Sequence, residues 1–73
     1  MAVRIIFTYQ ATRDHLDANG ITRRSGETWD VVRTIAHHLG HAMPDDIIKW
    51  HNLAETNQGV KGAMIIGYRP IAA

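Results

Sequence analysis

The stretch from Gly26 to Leu53 constrains the fold most, because its apolar residues recur at the three- and four-residue steps of an α-helix. In its first half the repeating positions are Trp29, Val32, Ile35, Ala36 and Leu39. In its second half they are Ile47, Ile48, Trp50 and Leu53. Helices of about three turns are marginal alone in water. We therefore expect two short helices, held in place by each other and by flanking strands.

Capping signals set the bounds of both predicted helices. The Thr28 hydroxyl is placed to cap the first helix, and Gly40 suits the left-handed residue that ends it. Pro44 has no backbone donor and a φ suited to a first helical position. The second helix should therefore begin at Pro44 and end near Leu53.

Alternating residues predict strands on both sides of this stretch. Near the N-terminus, polar side chains alternate with the apolar side chains of Val3, Ile5, Phe7 and Tyr9. Residues 11–20 read as a loop, residues 21–24 as a short extended segment and residues 64–68 as a closing strand. The order strand, loop, strand, helix, helix, strand predicts an α+β fold in which a small antiparallel sheet packs on two helices.

Length and composition bound the protein's class. With 73 residues the chain forms one small domain, and its formal net charge of +1 indicates no general affinity for nucleic acid or membranes. The chain has no cysteine, so it contains neither disulfides nor thiolate metal sites. The N-terminal apolar run of about six residues is too short for a secretory signal, and no stretch approaches the ~20 apolar residues of a spanning helix. We expect a soluble chain made without export.

Four motifs follow one another between residues 21 and 71. They are Ser25–Trp29 (SGETW), Ile35–Gly40 (IAHHLG), Asp45–Leu53 (DDIIKWHNL) and Gly62 before the closing strand. Together they resemble the LysM domain, with its Gly-Asp-Thr, Ile-Ala-x-x-Tyr-Gly and Asn-Asn-Leu signatures. The first helix is about three residues longer than the family pattern, His51 stands for the first Asn of Asn-Asn-Leu, and Ala63 stands for a Gln.

The resemblance implies a LysM-like β-α-α-β domain over residues 21–73, with residues 1–20 as an additional N-terminal strand and loop. It also implies a non-catalytic module that binds peptidoglycan or chitin in a shallow groove, without metal or cofactor. The family's binding positions correspond to Gly26, Thr28, Trp29, Asn52 and Leu53. Each has a purely structural alternative, because Thr28 can cap a helix, Gly26 can turn the chain, and Trp29 and Leu53 can fill the core.

Two functions from different classes follow from the resemblance. The first is a small structural protein of a phage tail or baseplate, found in the virion or the host cytoplasm, whose partners are other structural protein chains. The alternative is a module that binds N-acetylglucosamine polymers. In the first case we expect an assembly strand that covers an open sheet edge of its own chain or of a neighbour, formed by Val3, Ile5, Phe7 and Tyr9.

Three other residue patterns indicate a zinc site, a nuclease or phosphate binding, and each is weaker than the LysM resemblance. His37 and His41 have the i, i+4 spacing of a zinc pair, but Gly40 should end the helix between them. His51-Asn52 with His37 has the residue types of His-Asn-His nucleases without their hairpin. Arg23 and its neighbour Arg24 should point to opposite faces of a strand. They therefore indicate solvated surface charges and not a row of cations that binds phosphates.

Overall fold

The computed structural model describes residues 2–36, 43–59 and 61–71. Five strands and one helix occupy these ranges. They are β1 (Ala2–Ala11), β2 (His15–Leu16), β3 (Thr22–Arg23), β4 (Thr28–Ala36), α1 (Pro44–Gln58) and β5 (Ala63–Pro70). The histidine pair predicted as a zinc alternative, His37 and His41, lies outside the described residues, as do Leu39 and Gly40.

The strands form a three-stranded sheet of order β4-β1-β5 and a separate β2-β3 hairpin. Both β4 and β5 run antiparallel to β1, so they are parallel to each other with β1 between them. The predicted LysM-like β-α-α-β fold, with two helices on a small sheet, is therefore wrong for this chain. In the described residues a single helix accompanies a larger share of strand.

The segment predicted as the first helix is β4, which contains Thr28 and Trp29 and extends to Ala36. Its side chains alternate between the two faces of the sheet: Ile35 is buried, whereas Val32 is 50% exposed. A segment rich in β-branched and aromatic residues favours a pleated strand, and pairing along its whole length with β1 decides the outcome. The helical spacing from Trp29 through Val32 to Ile35 joined residues that lie on opposite faces.

The predicted start of the second helix is confirmed, because α1 begins at Pro44 and carries Asp45 and Asp46 in its first turn. Its predicted end near Leu53 is wrong. The helix continues to Gln58 and stops at Gly59, whose φ of 61° is left-handed and whose N–H donates to the Glu55 carbonyl at 2.8 Å. Residues 54–58 therefore belong to the helix and not to a loop.

The core lies between the sheet and α1. Phe7 is fully buried, and the other members of the cluster are Ile5, Tyr9, Ile35, Ala63 and Ile65. Ile47 and Ile48 of α1 pack against this cluster, whereas Trp50 is 58% exposed. Trp50, which the helical spacing grouped with Ile47 and Ile48, therefore lies outside the core, and Ile47 and Ile48 carry the contact.

Strand β1 is the middle strand of the sheet and pairs within its own chain along both edges. Ile5, Phe7 and Tyr9 of the predicted assembly strand lie in the core, and Val3 stands opposite Ile35 in the β4 register. These residues are thus occupied by contacts within the molecule and are not placed for donation to a neighbour. Residues on both sides of position 20 build one sheet.

Candidate functional site

A groove of about 650 Å³ lies beside α1 on the face of the sheet that the helix covers in part. Tyr9 and Trp29 line its floor, side by side on neighbouring strands. Strand β2 and the turn that follows it, residues 15–19, form one wall, and His51 and Lys61 line the other side. The groove is therefore bounded by strands β1, β2, β4 and β5 and by α1.

Aromatic contacts fix the floor of the groove. The Tyr9 and Trp29 rings stack with centroids 5.7 Å apart, and the His51 ring meets Tyr9 edge-on at 5.2 Å. The Arg23 guanidinium carbon lies 4.3 Å from the Trp29 ring centroid, in cation–π contact. The Tyr9 hydroxyl accepts a hydrogen bond from Arg33 at 3.0 Å. The floor is thus a packed aromatic surface and not a loose cleft.

The charges around the groove are unevenly compensated. Arg23 forms ion pairs with Asp17 at 3.0 Å and with Glu27 at 2.9 Å. The Asp17 carboxylate accepts hydrogen bonds from backbone amides and from Arg23, and these bonds hold the pKa of Asp17 below its usual range. Within the described part of the chain, Arg33 and Lys61 form no ion pair. The lining of the groove therefore includes two cationic side chains that have no ion-pair partner among the described residues.

His51 joins the groove to the edge of the sheet. Its Nε2 lies 2.9 Å from the Ala63 carbonyl oxygen, and since a carbonyl only accepts, Nε2 carries the proton. Burial lowers the pKa of His51, and the nearby Lys61 and Arg33 charges act in the same direction against the bond to Ala63. The imidazole is therefore neutral at pH 7, with its proton committed to the strand.

The outer edge of β5 is closed by side chains of α1. Asn52 donates from Nδ2 to the Ile65 carbonyl and accepts at Oδ1 from the Ile65 N–H, both at 2.8 Å, so it copies the bonds of a neighbouring strand. His51 covers the Ala63 carbonyl in the same way. Further along, Pro70 has no N–H to offer. This edge of the sheet is therefore protected against pairing.

The outer edge of β4 is different. Just before β4 the chain forms a bulge, in which Gly26 and Glu27 both lie opposite Ala11, and Gly26 has a φ of 86°. The Gly26 N–H donates to the Ala11 carbonyl at 2.8 Å, and the Ala11 N–H donates to the Glu27 carbonyl at 2.9 Å. From there hydrogen-bonded and non-bonded pairs alternate along the regular register. The residues whose N–H and C=O point away from β1 are therefore Thr28, Asp30, Val32, Thr34 and Ala36.

No strand of the described chain pairs with these outward groups. The nine residues of β4 contain no proline, glycine or lysine, and their register with β1 has no irregularity. Val32, at the middle of the strand, is half exposed. Residues 28–36 therefore present a regular edge whose main-chain groups pair with no strand of the described chain, and we call it the open edge.

The five positions matched to the LysM sugar groove do not form one surface. Thr28 and Trp29 point to opposite faces of β4, and Gly26 supplies the left-handed turn of the bulge. Both ends of the Asn52 amide are used on Ile65. Leu53 is 54% exposed on α1. The structure brings none of the five together as a binding constellation.

Several residues of the groove and the protected edge gave no signal in the sequence. Arg33 and Lys61 stand in the sequence as ordinary surface cations, and the partner of Asn52 is 13 residues away on another element. One signal was present: Trp29, Val31, Arg33 and Ile35 follow one another at the two-residue period of a strand. That period places Trp29 and Arg33 on one face.

Across residues 2–36, 43–59 and 61–71 there is no group of three or more His, Asp or Glu side chains that could hold a metal ion. The same residues contain no helix with the length and apolar character needed to cross a membrane. The described site offers main-chain groups at the open edge and aromatic and cationic side chains in the groove.

No protein-family model matches this chain, and no match was found among curated proteins or among solved structures.

Proposed function

We propose that this protein is a non-catalytic interaction module that binds other protein chains by strand addition at the open edge of β4. The observation that carries the proposal is the contrast between the two edges of one sheet. On β5, three of the outward residues are covered or lack a donor, whereas all five outward residues of β4 are free in the described chain. A long, regular edge whose main-chain groups are uncovered is a pairing site.

In strand addition, main-chain groups supply the affinity and side chains supply the specificity. Main-chain hydrogen bonds from Thr28, Asp30, Val32 and Thr34 would supply the affinity. On the outer face of the sheet, Asp30 accepts hydrogen bonds from Thr8 at 2.9 Å and from Arg69 at 3.1 Å, which spans all three strands. These hydrogen bonds hold β4, the strand that would pair with the partner, against β1 and β5.

The proposal retains the assembly role expected from the sequence, but it does not retain the phage tail or baseplate as the place of assembly. The phage tail or baseplate, and the alternative of peptidoglycan or chitin binding, were implied by a LysM-like fold that this chain does not have. An assembly role needs only a surface that recognises protein, which the open edge offers.

A displayed library of random 12-residue peptides, selected against the immobilised chain at low concentration, tests the proposal. We expect enriched peptides with apolar residues at alternate positions, whose binding shifts the NMR amide signals of β4. Val32→Pro removes an outward N–H without removing a bond to β1, so it should abolish peptide binding while the chain stays folded. Circular dichroism checks the fold of this variant.

The matched control is Ile66→Lys, which changes an apolar side chain of similar exposure on β5. Its peptide binding should equal that of the unmodified chain. The proposal fails when no peptide is enriched, or when the enriched peptides bind Val32→Pro as tightly as the unmodified protein.

A further inference from the structure

We propose that the occupant of the open edge is the same edge of a second copy of this chain, paired antiparallel about a two-fold axis at Val32. This inference rests on the proposed function and names its partner. The result is a continuous six-stranded sheet of order β5-β1-β4-β4-β1-β5, in which both outer edges are the protected β5 strands.

Closure favours a second copy as the partner. Pairing of β4 with β5 of another molecule would generate an open-ended array, but His51 and Asn52 already bond to the outward groups of Ala63 and Ile65 on β5. Pairing of β4 with β4 is the arrangement that uses the open edge of each molecule and leaves none behind. A two-fold dimer of this kind is closed, and no further chain can add to it.

The position of Val32 fixes the register. Val32 is the central residue of Thr28–Ala36, and it is one of the residues whose N–H and C=O point outward. An antiparallel pair centred there sets Val32 opposite Val32, Asp30 opposite Thr34 and Thr28 opposite Ala36. Every outward residue of both strands then belongs to a hydrogen-bonded pair, with two bonds at each of five pairs.

Other centres satisfy fewer groups. A pair centred on Asp30 sets two carboxylates directly opposite each other, which is destabilising in a sheet. A pair centred on Thr34 leaves Thr28 and Asp30 of each strand beyond the end of the partner. Only the Val32 centre uses the full strand and places no like charges face to face.

Side chains on both faces suit this register. On the outer face, the two half-exposed Val32 side chains cover each other. On the groove face, Trp29 stands opposite Ile35 of the second copy, and Arg33 stands opposite Val31. The two grooves then adjoin across the axis, because Trp29 and Arg33 line each of them.

Cysteine cross-linking tests the register without background, because the chain has no cysteine of its own. In the proposed dimer the two Val32 Cα atoms lie about 5.5 Å apart, within reach of a disulfide. Val32→Cys should therefore cross-link to itself on mild oxidation. Thr34→Cys is the matched control, since its two copies would lie on the order of 14 Å apart along the strands. A mixture of Thr34→Cys with Asp30→Cys should cross-link as a heterodimer.

Sedimentation of the unmodified protein over a range of concentrations gives the second readout. We expect a species of twice the 8.2 kDa monomer mass. Val32→Lys sets two ammonium groups opposite each other and should raise the dimer Kd about tenfold or more. Ile66→Lys, an equally exposed apolar position away from the open edge, should leave the Kd unchanged.

The outcomes separate this inference from the proposed function. The chain can be tested at about 1 mM, 100-fold the concentration of about 10 μM used for peptide selection. If it stays monomeric there but binds peptides at β4, the second copy is not the partner, and strand addition remains supported. Self-cross-linking of Thr34→Cys without that of Val32→Cys overturns the register. A monomer that binds no peptide overturns both.

Discussion

At the scale of single residues, Glu55 joins three parts of the chain. It is 7% exposed, and its carboxylate accepts hydrogen bonds from the Thr12 hydroxyl, from Arg13 at 3.3 Å, and from the N–H groups of Lys61 and Gly62 at 3.0 and 2.8 Å. Burial acts to raise the pKa of Glu55, but these bonds outweigh it and hold the pKa below its usual value. The charged form is therefore the one that the fold stabilises.

Replacing Glu55 with Gln should destabilise the protein by about 1–3 kcal/mol, because the amide cannot accept at both former oxygen positions. Since the folded pKa is lowered, the stabilisation by Glu55 is full above its ordinary value of 4.5 and is lost as the pH falls through the folded value. Thermal melts from pH 7 to pH 3 should show a weaker acid dependence in Glu55→Gln. Asp45→Asn, an exposed carboxylate of the same helix, is the control, and equal effects of both variants would contradict this assignment.

His51 should titrate below the ordinary pKa of 6.5, because burial disfavours its charged form. Its contribution to stability is full above pH 6.5 and is lost as the pH falls through its folded pKa. The imidazole NMR signals followed from pH 8 to pH 4.5 measure the midpoint directly. Lys61→Met should raise it, since the Lys61 charge is one of the causes of the shift. A midpoint at or above 6.5 in the unmodified chain would refute the buried, neutral ring.

At the scale of elements, two periods competed in the segment that became β4. The helical steps joined Trp29, Val32 and Ile35, whereas the two-residue step joins Trp29, Val31 and Ile35 through Arg33. The presence of an arginine on the inner face hid the second pattern, although Arg33 reaches the groove and bonds to Tyr9 there. Local pattern could predict β1, β5 and the start of α1. It could not predict β4, because pairing with β1 is a contact between distant parts of the chain.

The helix face offers a matched pair of substitutions. Ile47 packs against the core and Trp50 is 58% exposed, so Ile47→Ala should cost about 2 kcal/mol while Trp50→Ala stays within about 0.5 kcal/mol. Chemical denaturation with constant m-values gives both numbers. A larger loss from Trp50→Ala than from Ile47→Ala would mean that α1 is rotated relative to the arrangement described here.

The candidate site was harder to predict than the strands. Asn52 and His51 look like polar positions of a helix surface, and only their distance to β5 shows that they close an edge. The open edge of β4 is visible only once the sheet order is known, because the same strand in a central position would have no free groups. Residue types therefore predicted elements, whereas the surfaces arise from how the elements are ordered.

At the scale of the whole molecule, β1 joins two strands that otherwise do not touch. Removing residues 2–11 should therefore abolish folding, because β4 loses its partner and the core loses Phe7. Far-ultraviolet circular dichroism and near-ultraviolet signals of the truncated chain should both be those of an unfolded polypeptide. A cooperative melt with near-native helical signal in the truncated chain would contradict the central position of β1.

The strand order also has a consequence for synthesis on the ribosome. β1 emerges first and can pair with β4 once the β2-β3 hairpin and β4 have been made, but β5, the other partner of β1, follows only after α1. Until then the nascent β1-β4 pair exposes the β5-facing edge of β1 and the apolar residues of its inner face, Ile5, Phe7 and Tyr9. The protein therefore completes its sheet after most of the chain has been made, and a pause between α1 and β5 would prolong the interval in which two adjacent nascent chains can pair wrongly.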